Sequence, residues 1–235
     1  MISPSAGGST VFWQSRKGIF LQILFVPLPM LFCLTSFYLL FGLSVSVLSA
    51  WLMLRLRNKR WRDNGLTRPE NVLRLAVISS FSAAILLPLS CAVKAGITAA
   101  AGTPPNLAVF DVLKGNLTAL LAGLTVAWIF GAFLEELFLR GFCLPSFYEL
   151  LPEQTGRRLR QAGAVLLTSV FASAGHFYQG TAGMFTAGFI SAGFSVIYLL
   201  NKRNLWSSIL AHGLYDTAAF FLVYRDIRLE SIMFG

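Results

Sequence analysis

Two adjacent acids and an arginine, Glu135, Glu136 and Arg140, stand in the stretch FGAFLEELFLRGF at residues 130–142, where every other residue suits lipid or a packed core. An ionised carboxylate taken out of water is costly even when paired, so such residues inside an apolar helix mark a functional site by default. On a regular helix Glu136 and Arg140 are four apart, share a face and can pair, while Glu135 points about 100° away and needs another partner. The remaining groups fit for chemistry within the apolar parts of the chain are His176, His212 and Asp216. His212 and Asp216 are also four apart, which sets them on one helix face about 6 Å apart along its axis. His176 falls in the segment FASAGHFYQG, whose Ala and Gly residues leave room for close helix contact.

A histidine met singly on an apolar helix is more often a satisfied core residue than a catalyst. The set weighs differently, because both histidines of the chain and three of its 10 acids lie in apolar segments. Structural polar glue does not need them there, since Ser, Thr and Asn do that work without a charge penalty. Two chemistries suit Glu, His, His and Asp brought together. In one, a carboxylate acts as general base on a water, a histidine relays the proton and the other donors hold the developing oxyanion, with no covalent intermediate and no cofactor. In the other, Glu135, His176 and His212 ligate a zinc ion that lowers the pKa of its water to about 7. The helical zinc-protease signature HExxH is absent, which leans against the metal. Nucleophilic catalysis is weaker still, because Cys143 and the scattered serines have no base at a recognisable spacing.

The elements that must position these residues are membrane helices. Of the 235 residues 56% are hydrophobic and 12% charged, with a mean hydropathy of +0.68, whereas a soluble domain carries about 25% charge. A net charge of +9 suggests nucleic acid, yet the basic residues cluster in short segments between apolar runs, where they act as topology signals. No nucleic-acid partner is expected; the lipid bilayer is. Cys33, Cys91 and Cys143 lie in or beside apolar stretches without metal-type spacing and read as small buried side chains. Residues 1–10 are small and polar, without a charged leader, and read as a mature, uncleaved end.

About six spans are expected in an all-α, polytopic helical bundle whose last four spans form the core. Residues 19–54 contain no charge and are too long for one span, so Pro27 and Pro29 should break them into a short helix near 17–26 and a span over 30–54. Further spans are expected at about 72–100, with a kink at Pro88, then 117–139, 161–176, 182–200 and 205–224. The division is thus 1–116, membrane segments with a basic loop, and 117–235, the catalytic core. Arg55, Arg57, Lys59, Arg60, Arg62, Arg68 and Arg74, then Arg140, Arg157, Arg158 and Arg160, then Lys202 and Arg203 follow the odd-numbered spans. Those loops are therefore expected in the cytoplasm and both termini outside. In this drawing Glu135 lies near the cytoplasmic end of its span and His176 near the outer end of the next. The two can share a water only if the first helix runs on to about residue 147, past Pro145, and the next span is tilted or begins deeper.

The motifs resemble those of the CAAX-protease and bacteriocin-processing (Abi) intramembrane proteases. Two glutamates, three residues and an arginine are met by Glu135, Glu136 and Arg140; a histidine, three residues and an asparagine or aspartate by His212 and Asp216. The phenylalanine-to-histidine motif is met with an offset, Phe171 standing five before His176. The likeness covers about 117–224, and WRDNGLTRP at 61–69 looks like the loop that often precedes the family's core. The resemblance implies an endopeptidase embedded in a bacterial inner membrane, cutting a protein or peptide with a membrane-associated tail. It also implies roles: Glu135 activates water, His176 is its partner, and His212 with Asp216 stabilises the oxyanion, Asp216 fixing the tautomer of a donating His212. Glu136 and Arg140 support Glu135. The family also contains catalytically silent binding and immunity proteins, in which the same residues serve assembly. A transporter is the third reading, disfavoured by the lack of an inverted repeat.

Overall fold

A computed structural model describes residues 11–31 and 36–227, without the side chains of 30, 31 and 36–39. Every regular element among the described residues is helical, as the composition and periodicity require. The helices are α1 (Arg16–Phe25), α2 (Leu28–Leu31), α3 (Ser36–Leu56), α4 (Val72–Ala101), α5 (Leu117–Leu150), α6 (Arg157–Gly175), α7 (Gly180–Leu200) and α8 (Leu205–Tyr224). The break expected at Pro27 and Pro29 separates α1 from α2. The span expected over 30–54 lies partly outside the described residues, as does Cys33; Cys91 and Cys143 are buried.

Among the described residues three helical segments are long and apolar enough to cross a membrane: Val72–Ala101, Leu117–Leu150 and Phe177–Leu200. The segments expected as the fourth and sixth spans, α6 and α8, are not among them. Three arginines open α6, and α8 carries Ser207, Ser208, His212 and Asp216. Packing inside the bundle takes the place of lipid-facing hydropathy there: α6 lies against α7, and α8 against α4. Small residues bring these helices close. A methyl group on Gly188 would stand 3.2 Å from Ser173 Cβ, and one on Gly193 would stand 2.8 Å from the Leu86 side chain.

Helix α5 carries the two acids and is not uniform. It is α-helical over Leu117–Val126, π-helical over Ala127–Glu135 and Leu137–Cys143, and α-helical again over Leu144–Leu150. Pro145 falls at the start of that last α-helical segment, a position where the missing N–H is best tolerated, so the chain passes it without a break. The extension that the depth of Glu135 demanded is therefore present.

The loops after α3, α5 and α7 gather at one end of the bundle. Leu205 N donates to the Gly65 carbonyl at 2.9 Å, Tyr198 Oη donates to the Asn64 carbonyl at 2.9 Å, and Asn64 Nδ2 donates to the Gly141 carbonyl at 2.7 Å. Gly65 has φ +105°, and a Cβ there would lie 1.8 Å from the Arg203 carbonyl oxygen, so only glycine fits. Arg57, 2% exposed, and Lys59 both pair with Glu149. Burial pushes the Arg57 guanidinium pKa down, with the charge of Glu149 acting against the shift. At the opposite end Asn106 N donates to the Gln179 carbonyl at 2.9 Å and Gly115 N to the Tyr224 carbonyl at 3.0 Å.

Candidate active site

Glu136 and Arg140 form the expected pair: Arg140 Nη1 donates to Glu136 Oε1 at 2.8 Å, and both side chains are wholly buried. The guanidinium is held further from α7, where Nη2 donates to the carbonyl and to the hydroxyl of Ser191, the latter at 2.9 Å. Phe194, one helical turn on, presents its ring 5.6 Å from the guanidinium carbon. Arginine suits the position because its fork satisfies a carboxylate and a second helix at once.

His212 on α8 is tied to the same carboxylate, its Nδ1 donating to Glu136 Oε1 at 2.9 Å. On the other side of the ring, Nε2 lies 3.5 Å from Asp216 Oδ2. The two helical neighbours do meet, as their spacing requires, but the close bond that orients the imidazole comes from Glu136 on α5. The support provided by Glu136 thus acts on His212. Phe194 stacks on the imidazole at 4.4 Å between centroids and 24° between planes, which fixes its plane as well.

Glu135 faces away from this network, as a one-residue step along a helix demands, and is only partly buried. It lines a cavity of about 710 Å³ together with His176, His212 and Asp216. Glu135 and His176 also line an adjoining cavity of about 310 Å³ with Phe138 and Phe171. His176 ends α6, with Nδ1 2.9 Å from the Ala172 carbonyl oxygen. A carbonyl only accepts, so Nδ1 carries the proton and Nε2 is left as the acceptor. Phe171 packs on Phe138 of α5 at 6.0 Å between ring centroids, bracing the two helices that bring Glu135 and His176 to one cavity.

Several residues that complete the site escaped the sequence reading. Gly131 is required by the neighbouring carboxylate: a methyl group there would stand 3.0 Å from Asp216 Oδ2 and 3.8 Å from His212 Nε2. Gly213 admits the Trp128 ring, which would lie 2.5 Å from an added Cβ, and Trp128 Nε1 donates to Thr217 Oγ1 at 3.1 Å. Tyr178 lines both cavities and stacks on His176 at 6.1 Å between ring centroids. The glycines beside the charged motifs were the available signal, but a glycine in a membrane helix has many uses. Ser191 carries no such signal, since a serine in an apolar helix bonds its own backbone as readily as a distant arginine.

The arrangement offers a carboxylate, an imidazole acceptor and an imidazole donor around one cavity, which is what hydrolysis by an activated water needs. Both nitrogens of His212 already face carboxylates, so it is poorly placed as the metal ligand of the zinc alternative. Among the described residues no three His, Cys, Asp or Glu side chains form a group that could hold a metal ion. Residues 117–218, from the start of α5 into α8, match the family model described as type II CAAX prenyl endopeptidase Rce1-like. No curated protein and no solved structure matches the chain.

Proposed function

We propose, from the match of residues 117–218 to the Rce1-like family of type II CAAX prenyl endopeptidases, that the chain is an intramembrane endopeptidase that uses a glutamate-activated water. It is an integral membrane protein of a protease family; the substrate in this reading is a protein or peptide with a membrane-associated tail. Glu135 takes a proton from water, His176 shares that proton through Nε2, and the hydroxide attacks the scissile carbonyl. His212 acts as the imidazolium, protonated on both nitrogens between two carboxylates: Nδ1–H is held by Glu136, and Nε2–H, flanked by Asp216, is supplied to the oxyanion. Collapse of the tetrahedral intermediate returns the proton to the leaving amine.

The observation that carries this reading is that Glu135 and His176, on different helices, line the same two cavities while Glu136 is consumed in holding His212 and Arg140. That division of labour makes Glu135 the acid available to water. No cofactor takes part in the proposed reaction. Gathering of the basic loops at one end supports a cytoplasmic assignment for that end in a bacterial inner membrane. The larger cavity is lined at the other end, by residues of the 105–113 connection and the C-terminal turn of α8.

The test is cleavage of a quenched-fluorescence peptide with a membrane-associated tail by purified protein. Glu135→Gln and His176→Ala are each expected to lower the rate by about 10²–10⁴-fold, the usual share of general acid–base catalysis. A strong chelator should leave the rate of the parent protein unchanged. Equal rates in both variants would remove the mechanism, and loss of activity to the chelator with recovery on adding zinc would restore the metal alternative.

A further inference from the structure

Between α6 and α7 the chain makes one tight helical turn, Phe177–Gln179, and the backbone pins that turn on both sides. His176 N donates to the Ser173 carbonyl at 3.0 Å and Gln179 N to the His176 carbonyl at 2.9 Å, while the Gln179 carbonyl accepts from Asn106 N. Successive residues of so tight a turn point in different directions. Phe177 is 45% exposed, and its ring stands edge-on to that of Tyr178, at 86°. Tyr178 is half-buried and lines both cavities, as Glu135 and His176 do.

The Tyr178 hydroxyl is held in place through its oxygen. Oη accepts from Gln179 Nε2 at 3.0 Å, and among the described residues that is its one hydrogen bond. A phenol also carries an O–H donor, so the proton is left for an acceptor that enters the cavity. The groups around it are those of the reaction. Its ring lies 6.1 Å from that of His176, centroid to centroid, with 26° between the planes, and the charges of Glu135 and Asp216 both reach the phenol. Asp216 Oδ2 in turn lies 3.5 Å from His212 Nε2. The mechanism above gives the oxyanion a single donor, on His212, whereas a developing oxyanion is best stabilised by several donors already in position.

We infer that Tyr178 is a further catalytic residue, whose Oη–H donates to the oxyanion alongside His212 Nε2–H. The inference rests on the protease reading above. As hydroxide adds to the scissile carbonyl, the π pair moves onto oxygen, and the phenol shares its proton with that oxygen without giving it up. When the intermediate collapses the pair returns to carbon and the C–N bond breaks. The proton for the leaving amine still comes from Glu135 and His176.

A residue that only packs on His176 needs its ring and not its hydroxyl. Tyr178→Phe keeps the one and removes the other. On the quenched-fluorescence peptide kcat should fall by about 10²–10³-fold, the share of one oxyanion-hole donor, with KM changed by no more than about twofold. A phosphinate peptide, with a tetrahedral anion in place of the scissile amide, should bind the variant more weakly by a similar factor. The same peptide with two methylene groups in place of that amide should bind both proteins alike. Thermal melting and size-exclusion profiles establish that each protein is folded, and Tyr178→Met carries the same comparison if Tyr178→Phe is not. An unchanged kcat in the folded variant, or equal losses of affinity for the two analogues, overturns the inference and leaves the protease reading standing. Failure of the folded parent protein to cleave the peptide overturns both.

Discussion

Glu136 is a buried carboxylate that holds side chains of two helices at once. Its Oε1 accepts from Arg140 on its own helix and from His212 on α8, at 2.8 and 2.9 Å, with no exposure to water. Removing its charge leaves a fully buried guanidinium unpaired, and breaking a buried pair by deleting one partner costs about 3–5 kcal/mol. Glu136→Gln is therefore expected to lower the melting temperature in detergent sharply. Glu136→Gln combined with Arg140→Met should recover much of that loss, because the stranded charge is gone, yet cleavage should stay impaired because His212 is no longer oriented. A double-mutant cycle on melting and on kcat separates the two roles.

The geometry of the site depends on the fit of α5 against α8. Trp128 lies over Gly213 and bonds Thr217, so the residue next to His212 is in contact with the π-helical part of α5. A methyl group at 213 cannot fit without moving the indole. Gly213→Ala is expected to destabilise by about 1–3 kcal/mol, as overpacked cores do. It should also raise the separation of His212 from Glu136, seen as a fall in kcat larger than any change in KM. The π-helical register itself, i→i+5 in place of i→i+4, is rare and is frequently found at functional sites. Here it covers the stretch from which Gly131, Glu135 and Arg140 are drawn.

Across the whole chain, the charge distribution and the contacts agree on two different ends. The basic end is tied together by Arg57 and Lys59 with Glu149, by Lys202 with Glu70 at 2.9 Å, and by the backbone bond from Leu205 to Gly65. The other end holds the 102–116 connection and the Phe177–Gln179 turn. In a variant with Cys33, Cys91 and Cys143 replaced, a cysteine at Thr103 should react with a membrane-impermeant maleimide in intact cells. One at Lys202 should react only after permeabilisation. The opposite pattern would reverse the orientation drawn from positive charge.

Much of this was legible in the sequence because it depends on local spacing and on the cost of burying charge. Composition determined a helical membrane protein, and a separation of four residues determined that Glu136 would meet Arg140 and that His212 would stand beside Asp216. The offset of Glu135 from Glu136 likewise follows from helical geometry. Spacing within a helix cannot say which face of another helix it meets, so three matters were left to the tertiary structure. Glu136, rather than Asp216, makes the close bond to His212; Ser191 closes the shell around Arg140; and Tyr178 belongs to the same cavity as Glu135. The depth of Glu135 also waited on the fold, because whether a helix continues past Pro145 depends on the register in which the chain reaches it.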